Sequence, residues 1–219
     1  MTYPRAAVGG LLLKIGLTGA IASGKSLVGG MFVSLGAHLI KADEISHQLI
    51  QPGQSVYEEV VRAFGREILN ADGRIDRSRL ANSAFSDADN KPSRVEELNK
   101  IIHPEVVRRQ KEWMKRIGRQ DPKTIAIVEA ALIIEAGAVG DFDRMVVVTC
   151  RPEQRIERWA RRTGVPNDIA RKEVERRMAA QLPEEDKVKI ADHVIDNSGT
   201  VAETELQVRK LFDSFKPAT

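Results

Sequence analysis

Residues 11–26 read LLLKIGLTGAIASGKS, and they carry the strongest structural signal in the chain. An apolar run of strand length ends at Thr18, and the residues from Gly19 to Ser26 fit the pattern G-x-x-x-x-G-K-[ST]. In such a loop the glycines let backbone N–H groups turn inward toward phosphate oxygens, and the positive end of the following helix faces the same anion. The pattern therefore predicts a phosphate-binding loop between a strand and a helix.

The side chains of this loop have expected tasks. Lys25 should reach the β- and γ-phosphates of a nucleotide, and the Ser26 hydroxyl should be a ligand of Mg²⁺. A glycine-rich turn without a ligand is the alternative, but the apolar positions from Val28 to Leu35 supply the helix that the motif requires. We expect the backbone N–H groups of this loop to bind the phosphates of a nucleotide.

Composition narrows the class of protein. The net charge is only +3, and Lys and Arg are interleaved with Asp and Glu, so charge gives no indication of nucleic-acid binding. One cysteine, Cys150, excludes an internal disulfide and suits a reducing compartment. No apolar run approaches the roughly 18 residues of a membrane span, and Lys14 interrupts the segment that most resembles a signal peptide. We expect a cytoplasmic protein with neither a nucleic-acid nor a membrane partner.

Apolar runs of strand length alternate with helical segments along the chain. After the first strand, the predicted strands are residues 37–41, 124–130, 144–149 and 193–196. This alternation predicts the α/β class, as a three-layer P-loop NTPase fold around a five-stranded parallel sheet. We expect a single domain over residues 1–219, with a core made of residues 11–43, 118–150 and 191–216.

Two helical insertions interrupt this core, at residues 44–117 and at about 151–190. Both follow the carboxyl ends of strands, where ligands bind in open α/β sheets. This arrangement is typical of a kinase whose first insertion holds the acceptor and whose second closes as a lid. Pro104 should break or bend the long helix of the first insertion just after His103, and Pro183 should end a helix of the second.

Two carboxylates follow strands on the sheet edge expected for the loop. Asp43 could orient an acceptor hydroxyl and take its proton, or it could be the N-cap of the next helix. Glu129 ends the third strand and could hold Mg²⁺ through water, or it could form an ion pair at a strand end. The residue pattern leaves both choices open.

An arginine-rich segment fills the second insertion. Guanidinium groups suit the negative charge spread over a transferring phosphoryl group. Arg158 and Arg162 are four residues apart and share one helix face. Others have acidic neighbours at helical spacing, so we expect two or three of the eight to contact nucleotide. The eight are Arg151, Arg155, Arg158, Arg161, Arg162, Arg171, Arg176 and Arg177.

Six segments carry a more specific signal: GLTGAIASGKS at 16–26, ADEISHQLIQPG at 42–53, IIHP at 101–104, EAALIIEAG at 129–137, RMAAQLPEEDK at 177–187 and ADHVIDNSG at 191–199. They resemble the corresponding segments of the dephospho-CoA kinases, and the resemblance runs from about Leu13 to Phe212. It implies transfer of the γ-phosphate of ATP to the ribose 3′-hydroxyl of dephospho-CoA, with Mg²⁺, in the last step of coenzyme A synthesis.

The resemblance also implies roles for single residues. Asp43 corresponds to the carboxylate near the 3′-hydroxyl, and Asn197 lies where the adenine of ATP is expected. Arg158 and Arg162 match arginines of the lid. The catalytic residues implied are Asp43, Lys25 and Arg162. The residues implied at ATP are Gly19, Ala20, Ile21, Ala22, Ser23, Gly24, Lys25, Ser26 and Leu27 of the loop, together with Arg158 and Asn197. The residues implied at the acceptor are Asp43, His103, Glu129 and Arg177.

The chain departs from the family pattern at several positions. The usual loop reads G-G-I-G-S-G-K-S-T, whereas Ala20 and Ala22 stand here in place of two glycines. Lys41 replaces the first Asp of a common D-A-D, which leaves Asp43 as the only carboxylate of that pair. Thr163 replaces an Asp that would hold a lid arginine. None of these changes removes a residue that the chemistry requires.

Two other functions fit the phosphate loop alone: a nucleoside monophosphate kinase and a nucleotide-dependent switch without turnover. A guanine-specific switch needs N-K-x-D after a strand, and Asn90-Lys91-Pro92-Ser93 lacks the Asp. The D-x-x-G at residues 196–199 lies near the carboxyl end of the chain instead of shortly after the loop. We therefore expect a phosphotransferase with an alcohol acceptor, acting as a monomer or weak homo-oligomer.

Overall fold

The computed structural model describes residues 12–85 and 94–216. Residues 1–11 and 217–219 of the predicted single domain, and the Asn90-Lys91 segment, lie outside the described residues. The chain forms two compact units. One consists of the chain up to Ile40 together with the chain from Met114 onward, and the other is Lys41–Trp113.

Five strands form one sheet in the order β2-β3-β1-β4-β5. The pairs β1–β3, β1–β4 and β4–β5 are all parallel. Their carboxyl ends therefore share one edge, where β1, β3, β4 and β5 end. The sheet is the one predicted, and the bounds are β1 Leu13–Gly19, β2 His38–Lys41, β3 Ile125–Glu129, β4 Arg144–Thr149 and β5 His193–Asp196.

The central strands are apolar along their length because helices cover both faces of the sheet. Every residue of β3 is buried, and so are four of the six residues of β4. The main core joins these strands to the first and last helices of the unit, through residues such as Ile15, Phe32 and Phe212. The sheet edge is thereby fixed on a rigid support.

The helices are α1 Lys25–Ser34, α2 Ala42–Leu49, α3 Ser55–Phe64, α4 Arg77–Phe85, α5 Val95–Gln120, α6 Pro152–Thr163, α7 Asn167–Ala179, α8 Glu184–Ile190 and α9 Val201–Ser214. Among these described helices, none is both long and apolar enough to cross a membrane.

The expected break at Pro104 is wrong, whereas the alternative of a bend stays a prediction. Helix α5 is continuous over its 26 residues, with Pro104 inside it. The proline removes one N–H donor, which leaves the carbonyl of Lys100 without its usual helical partner. His103, Pro104 and Lys100 are all exposed, so water can satisfy that carbonyl. The lost hydrogen bond therefore lies on the solvent side of a long helix.

Pro183 does not simply end a helix; it precedes α8, which the sequence pattern did not predict. Helix α7 ends at Ala179, and Pro183 then occupies the N-cap position of α8. Three acidic residues fill the first turn of α8, where they interact favourably with the positive end of the helix. The sequence PEED at 183–186, a proline followed by acidic residues, is typical of a helix start and could have predicted α8.

The second unit has a helical core of its own. Buried apolar residues of α3 and α4 form this core with the 3₁₀ turn at Arg66–Ile68. A turn at residues 70–73 is closed by a hydrogen bond from the Gly73 N–H to the Asn70 carbonyl (3.0 Å). The Arg94 guanidinium lies 4.3 Å from the centre of the Phe64 ring.

Candidate active site

The phosphate loop follows β1 with the backbone that its glycines allow. Gly19 has φ +152° and Gly24 has φ +101°. A Cβ atom on Gly19 would lie 2.3 Å from the Val148 carbonyl oxygen, and one on Gly24 would lie 2.0 Å from Nδ2 of Asn197. At Gly24 both the backbone angle and the close neighbour exclude a side chain.

Ala22 also takes a left-handed conformation, with φ +55°, which glycine adopts more readily than alanine. For a residue with a Cβ this conformation costs roughly 1–2 kcal/mol. The surroundings hold it in place, because Ala22 packs against the α6–α7 core and its carbonyl accepts a weak hydrogen bond from Cys150 Sγ (3.9 Å). The substituted loop therefore keeps a glycine-like path at a cost in strain.

Lys25 begins α1 and folds back over the loop. Its ammonium donates to the carbonyl oxygens of Gly19 and Ala20, each at 3.0 Å. The positive charge is therefore held beside the loop and the first turn of α1, which also carries the positive end of the helix dipole. This is the position expected of a cation that contacts nucleotide phosphates.

Ser26 and Glu129 meet at the same edge. The Ser26 hydroxyl donates to Oε1 of Glu129 at 2.6 Å, across 103 positions of sequence. Glu129 is buried, and its Oε2 has no hydrogen-bond partner in the structure. Glu129 thus contacts a loop hydroxyl rather than the cation that the ion-pair alternative required. A buried carboxylate oxygen without a partner is a costly arrangement that is common at functional sites.

Asn197, just beyond β5, supports the loop through hydrogen bonds to its backbone. Its side-chain amide donates to the Ser23 carbonyl at 2.8 Å and accepts from the Thr204 hydroxyl at 3.0 Å. Arg158 on α6 donates to the Ser23 carbonyl at 3.1 Å and to the Asn197 carbonyl at 2.8 Å. Both residues expected at the ATP therefore contact the loop backbone itself.

The arginines expected in a lid lie on α6 and α7, around Trp159. The guanidinium of Arg162 lies 4.5 Å from the centre of the indole, and that of Arg177 lies 4.7 Å from it. Both contacts are within the range of cation–π attraction. Ile21 of the loop packs into the same apolar cluster as Trp159, so the loop and these helices share a core.

Glu173 links two of the α7 arginines. Its carboxylate pairs with Arg176 at 2.9 Å and with Arg177 at 2.6 Å. The hydrogen bond from Arg176 is the main reason that the pKa of Glu173 is lowered to about 2; burial opposes this shift and Arg177 adds to it. The pairing confirms the expectation that acidic neighbours engage some of the arginines, Arg176 among them.

Two buried ion pairs close to this site were not anticipated. Arg155 is almost fully buried, pairs with Glu184, and donates to the Cys150 carbonyl at 2.8 Å. Lys187 is equally buried and lies 2.8 Å from Glu135 Oε1. In the sequence, Arg155 and Lys187 stand at helix positions that would otherwise be apolar. This pattern indicates that each needs a partner, but it does not identify the partner.

Asp43 and His103 belong to the second unit. Helix α2 begins at Ala42, so Asp43 lies in its first turn and does not occupy the N-cap position, which is held by Lys41. The capping alternative for Asp43 is therefore wrong. The pKa of His47, one turn further on, is lowered by partial burial and by Arg77, while Asp43 and Glu44 act in the opposite direction. His103 is exposed on α5.

The structure thus brings together the loop, Lys25, Ser26, Glu129 and the Asn197–Arg158 contacts in one unit. It also brings Arg162 and Arg177 to a common aromatic ring. The approach of Asp43 and His103 to this group remains a prediction.

Comparison with known proteins identifies the family of the chain. The model of the dephospho-CoA kinase family matches residues 13–203. The chain belongs to the dephospho-CoA kinase family. It is 38% identical over 200 residues to a dephospho-CoA kinase of Aquifex aeolicus, covering 91% of this chain and 96% of that protein. It is 38% identical over 208 residues to one of Bacillus cereus, covering 94% and 98%.

Solved structures extend the likeness to the fold. TT1252 from Thermus thermophilus superimposes with a TM-score of 0.78 at 30% identity, over 95% of this chain and all of that chain (100%). A dephospho-CoA kinase from Campylobacter jejuni gives a TM-score of 0.58 at 22% identity, over 93% and 97% of the two chains. The second likeness concerns the fold alone. Family membership makes the protein a kinase, and its P-loop fold implies a nucleotide and typically a divalent metal ion.

Proposed function

We propose that this kinase transfers the γ-phosphate of ATP to the ribose 3′-hydroxyl of dephospho-CoA, which yields coenzyme A and ADP. One observation carries the proposal: Lys25, Ser26 and Glu129 converge at the carboxyl ends of parallel strands in a chain that matches the family over residues 13–203. Phosphoryl transfer depends mainly on positioning and on electrostatic stabilisation, and this arrangement offers both.

The chemical step needs an activated hydroxyl. The 3′-oxygen forms a bond to the γ-phosphorus while the bond from that phosphorus to the bridging oxygen of ADP breaks. We assign Asp43 to accept the hydroxyl proton, because a carboxylate in the first turn after β2 is short, exposed and able to face an acceptor. Lys25 neutralises the phosphate oxygens, and Arg162 offers charge to the transferring group.

The residues present fit a Mg²⁺ ion. Ser26 Oγ and the carboxylate of Glu129 are hard oxygen donors 2.6 Å apart, and Glu129 Oε2 has no partner. In the described part of the chain no cluster of three His, Cys, Asp or Glu side chains could hold a metal ion. Mg²⁺ usually takes one or two protein ligands and completes its shell with phosphates and water. Bound there, Mg²⁺ would neutralise charge on the phosphates.

The remaining residues are assigned by their surroundings. Gly19 to Leu27 would bind the nucleotide phosphates, and Arg158 and Asn197 would serve nucleotide binding through their contacts with the loop backbone. Arg177 shares Trp159 with Arg162, which supports a place near the phosphates or the acceptor. We assign His103, with Glu129 and Arg177, to the acceptor side. We also propose that the protein acts in the cytoplasm as a monomer or weak homo-oligomer.

The direct test is a product assay. Incubation of the protein with ATP, MgCl₂ and dephospho-CoA should give coenzyme A with its phosphate at the 3′ position, identified by mass spectrometry and by comparison with authentic coenzyme A. A parallel incubation with AMP tests for a nucleoside monophosphate kinase. Phosphorylation of AMP with no product from dephospho-CoA would overturn the proposal, and ATP binding without turnover of either would favour the switch.

A further inference from the structure

Both ends of the Asn197 side chain are engaged by the protein. Asn197 is 2% exposed, its amide nitrogen donates to the Ser23 carbonyl, and its amide oxygen accepts from Thr204. Its backbone N–H donates to the Thr149 carbonyl at 2.8 Å, which anchors the residue at the end of β4. Because it is fixed at both ends, the Asn197 side chain can hold the Ser23 carbonyl of the loop in place.

The polarity of the amide is determined by its partners. A backbone carbonyl can only accept, so the nitrogen of Asn197 must face Ser23 and the oxygen must face Thr204. Thr204 is fully buried on α9, and its hydroxyl also lies 3.2 Å from the Thr200 carbonyl. The Ser23 carbonyl therefore sets the polarity of the amide, and the Thr204 hydroxyl holds its other end by donating to the amide oxygen.

This contact has a consequence for the loop backbone. In a trans peptide the C=O and the next N–H point in opposite directions, and the described chain contains no cis peptide. Holding the Ser23 carbonyl toward Asn197 therefore directs the Gly24 N–H to the opposite side of the peptide, away from the support. The absence of a Cβ on Gly24 lets Asn197 approach this peptide closely.

Arg158 connects the same peptide to α6. One guanidinium nitrogen donates to the Ser23 carbonyl and another to the Asn197 carbonyl. A shift of α6 would therefore move both acceptors. The orientation of the Ser23–Gly24 peptide thus depends on residues of α6 and α9 and on Asn197 just after β5, all more than 130 positions from the loop in sequence.

We propose that Asn197 is a positioning residue for nucleotide binding, which orients the Ser23–Gly24 peptide so that the Gly24 N–H faces the phosphates, and that Thr204 fixes the amide for this task. The proposal rests on the proposed function in that it takes the loop to bind a nucleotide. Asn197 acts through the backbone, and its side chain need not touch the adenine.

The test uses Thr204→Val, which removes the hydroxyl but keeps the shape of the side chain. Loss of one buried hydrogen bond should weaken the binding of MgADP about tenfold, measured by isothermal titration calorimetry without any acceptor. With acceptor present, KM for ATP should rise by a similar factor while kcat at saturating ATP changes much less. Thr204→Ser retains the hydroxyl and should restore affinity. Asn197→Asp should weaken binding more, because it places a carboxylate against the Ser23 carbonyl.

Gln207→Ala is the matched control. Gln207 also supports the end of β5 from α9, since it accepts from the Asp196 N–H (3.0 Å) and donates to the Asp196 carbonyl (2.8 Å), but these bonds do not involve the loop. This variant should lower the melting temperature and leave MgADP affinity unchanged. Wild-type affinity in a folded Thr204→Val protein, or an equal loss in Gln207→Ala, would overturn the proposal. Because calorimetry uses nucleotide alone, it reports on Asn197 even if dephospho-CoA proves not to be the acceptor.

Discussion

The phosphate loop and the arginine helices α6 and α7 hold their functional groups by different means. The loop is supported at the Ser23 carbonyl by the buried amide of Asn197, which Thr204 holds in turn, and by the half-buried guanidinium of Arg158. The arginines Arg162 and Arg177 are exposed and are held by an indole face and, for Arg177, by a partly exposed carboxylate. Buried hydrogen bonds cost about 1–3 kcal/mol to leave unmade, whereas exposed ion pairs contribute about 0–1 kcal/mol.

The two kinds of support suit different roles in the reaction. The protein's own hydrogen bonds hold the loop backbone, so little of the energy of nucleotide binding is needed to shape it. The arginines can leave their present partners at a small cost and contact a phosphoryl group instead. A cation–π contact is attractive enough to keep each guanidinium close and weak enough to release it.

Lys25→Ala should have the largest effect, because it removes the fixed charge of the loop. We expect phosphoryl transfer to fall by at least about 10³-fold, since charge neutralisation supplies much of the rate in this chemistry. Initial rates of coenzyme A formation give the measurement. Lys189→Ala removes an exposed lysine that pairs with Asp186, and it should leave the rate unchanged. Retained turnover in Lys25→Ala would separate the loop from the mechanism.

Asp43 resembles neither the loop nor the arginines in how it is held: it is exposed in the first turn of α2. Asp43→Asn should lower kcat on the order of 10²-fold or more, as for a lost general base, and leave MgATP affinity nearly intact. Glu44→Gln alters the adjacent carboxylate, which pairs with Lys41 at 3.0 Å, and should retain most of the activity. Equal rates for Asp43→Asn and the wild type would show that Asp43 is not the general base and only contributes a charge near the start of α2.

Arg162→Ala tests whether an exposed arginine of α6 contacts the phosphoryl group during its transfer. We expect kcat to fall by roughly 10- to 100-fold, which is less than for the loop lysine because other cations remain nearby. Arg161→Ala changes the neighbouring exposed residue and should have little effect. If both variants lose activity equally, the effect is one of general charge rather than of a placed guanidinium.

A smaller effect is expected from Glu173, which holds the α7 arginines. Its pKa is lowered to about 2 from the ordinary 4.5, so its contribution to stability is complete above pH 4.5 and is lost as the pH falls through about 2. Glu173→Gln should therefore melt below the wild type at pH 5, with a difference that shrinks toward pH 2. Glu175→Gln, which removes only a long exposed contact to Arg171, should show little of this dependence. A constant difference across this range would show that Glu173 does not stabilise the helix through charge.

Ala22→Gly should have the smallest effect. Glycine relieves the left-handed strain, roughly 1–2 kcal/mol, but it adds about 0.4–1 kcal/mol of chain entropy to the unfolded state. The free energy of unfolding in urea should therefore stay within about 1 kcal/mol of the wild type or rise slightly. Ala202→Gly, in the first turn of α9, has no strain to relieve and should be destabilised by up to about 1 kcal/mol. Equal losses in both variants would mean that Ala22 bears no strain.

Features that depend on neighbouring residues could be predicted well. The strands are visible as apolar runs because both sheet faces are covered, and the loop is visible because its glycines and Lys25 lie within eight positions. Helix bounds were less certain: Pro104 is tolerated because the carbonyl it releases faces water, and α8 begins at the proline expected to end a helix.

The sequence by itself determined the parallel sheet, the phosphate loop and the family, since each follows from local patterns in consecutive residues. Only the tertiary structure decided how Glu129 meets Ser26 and how Asn197 supports Ser23, because these bonds join positions 103 and 174 residues apart. A buried polar side chain must find a partner, but which partner it finds depends on the elements that the fold brings beside it.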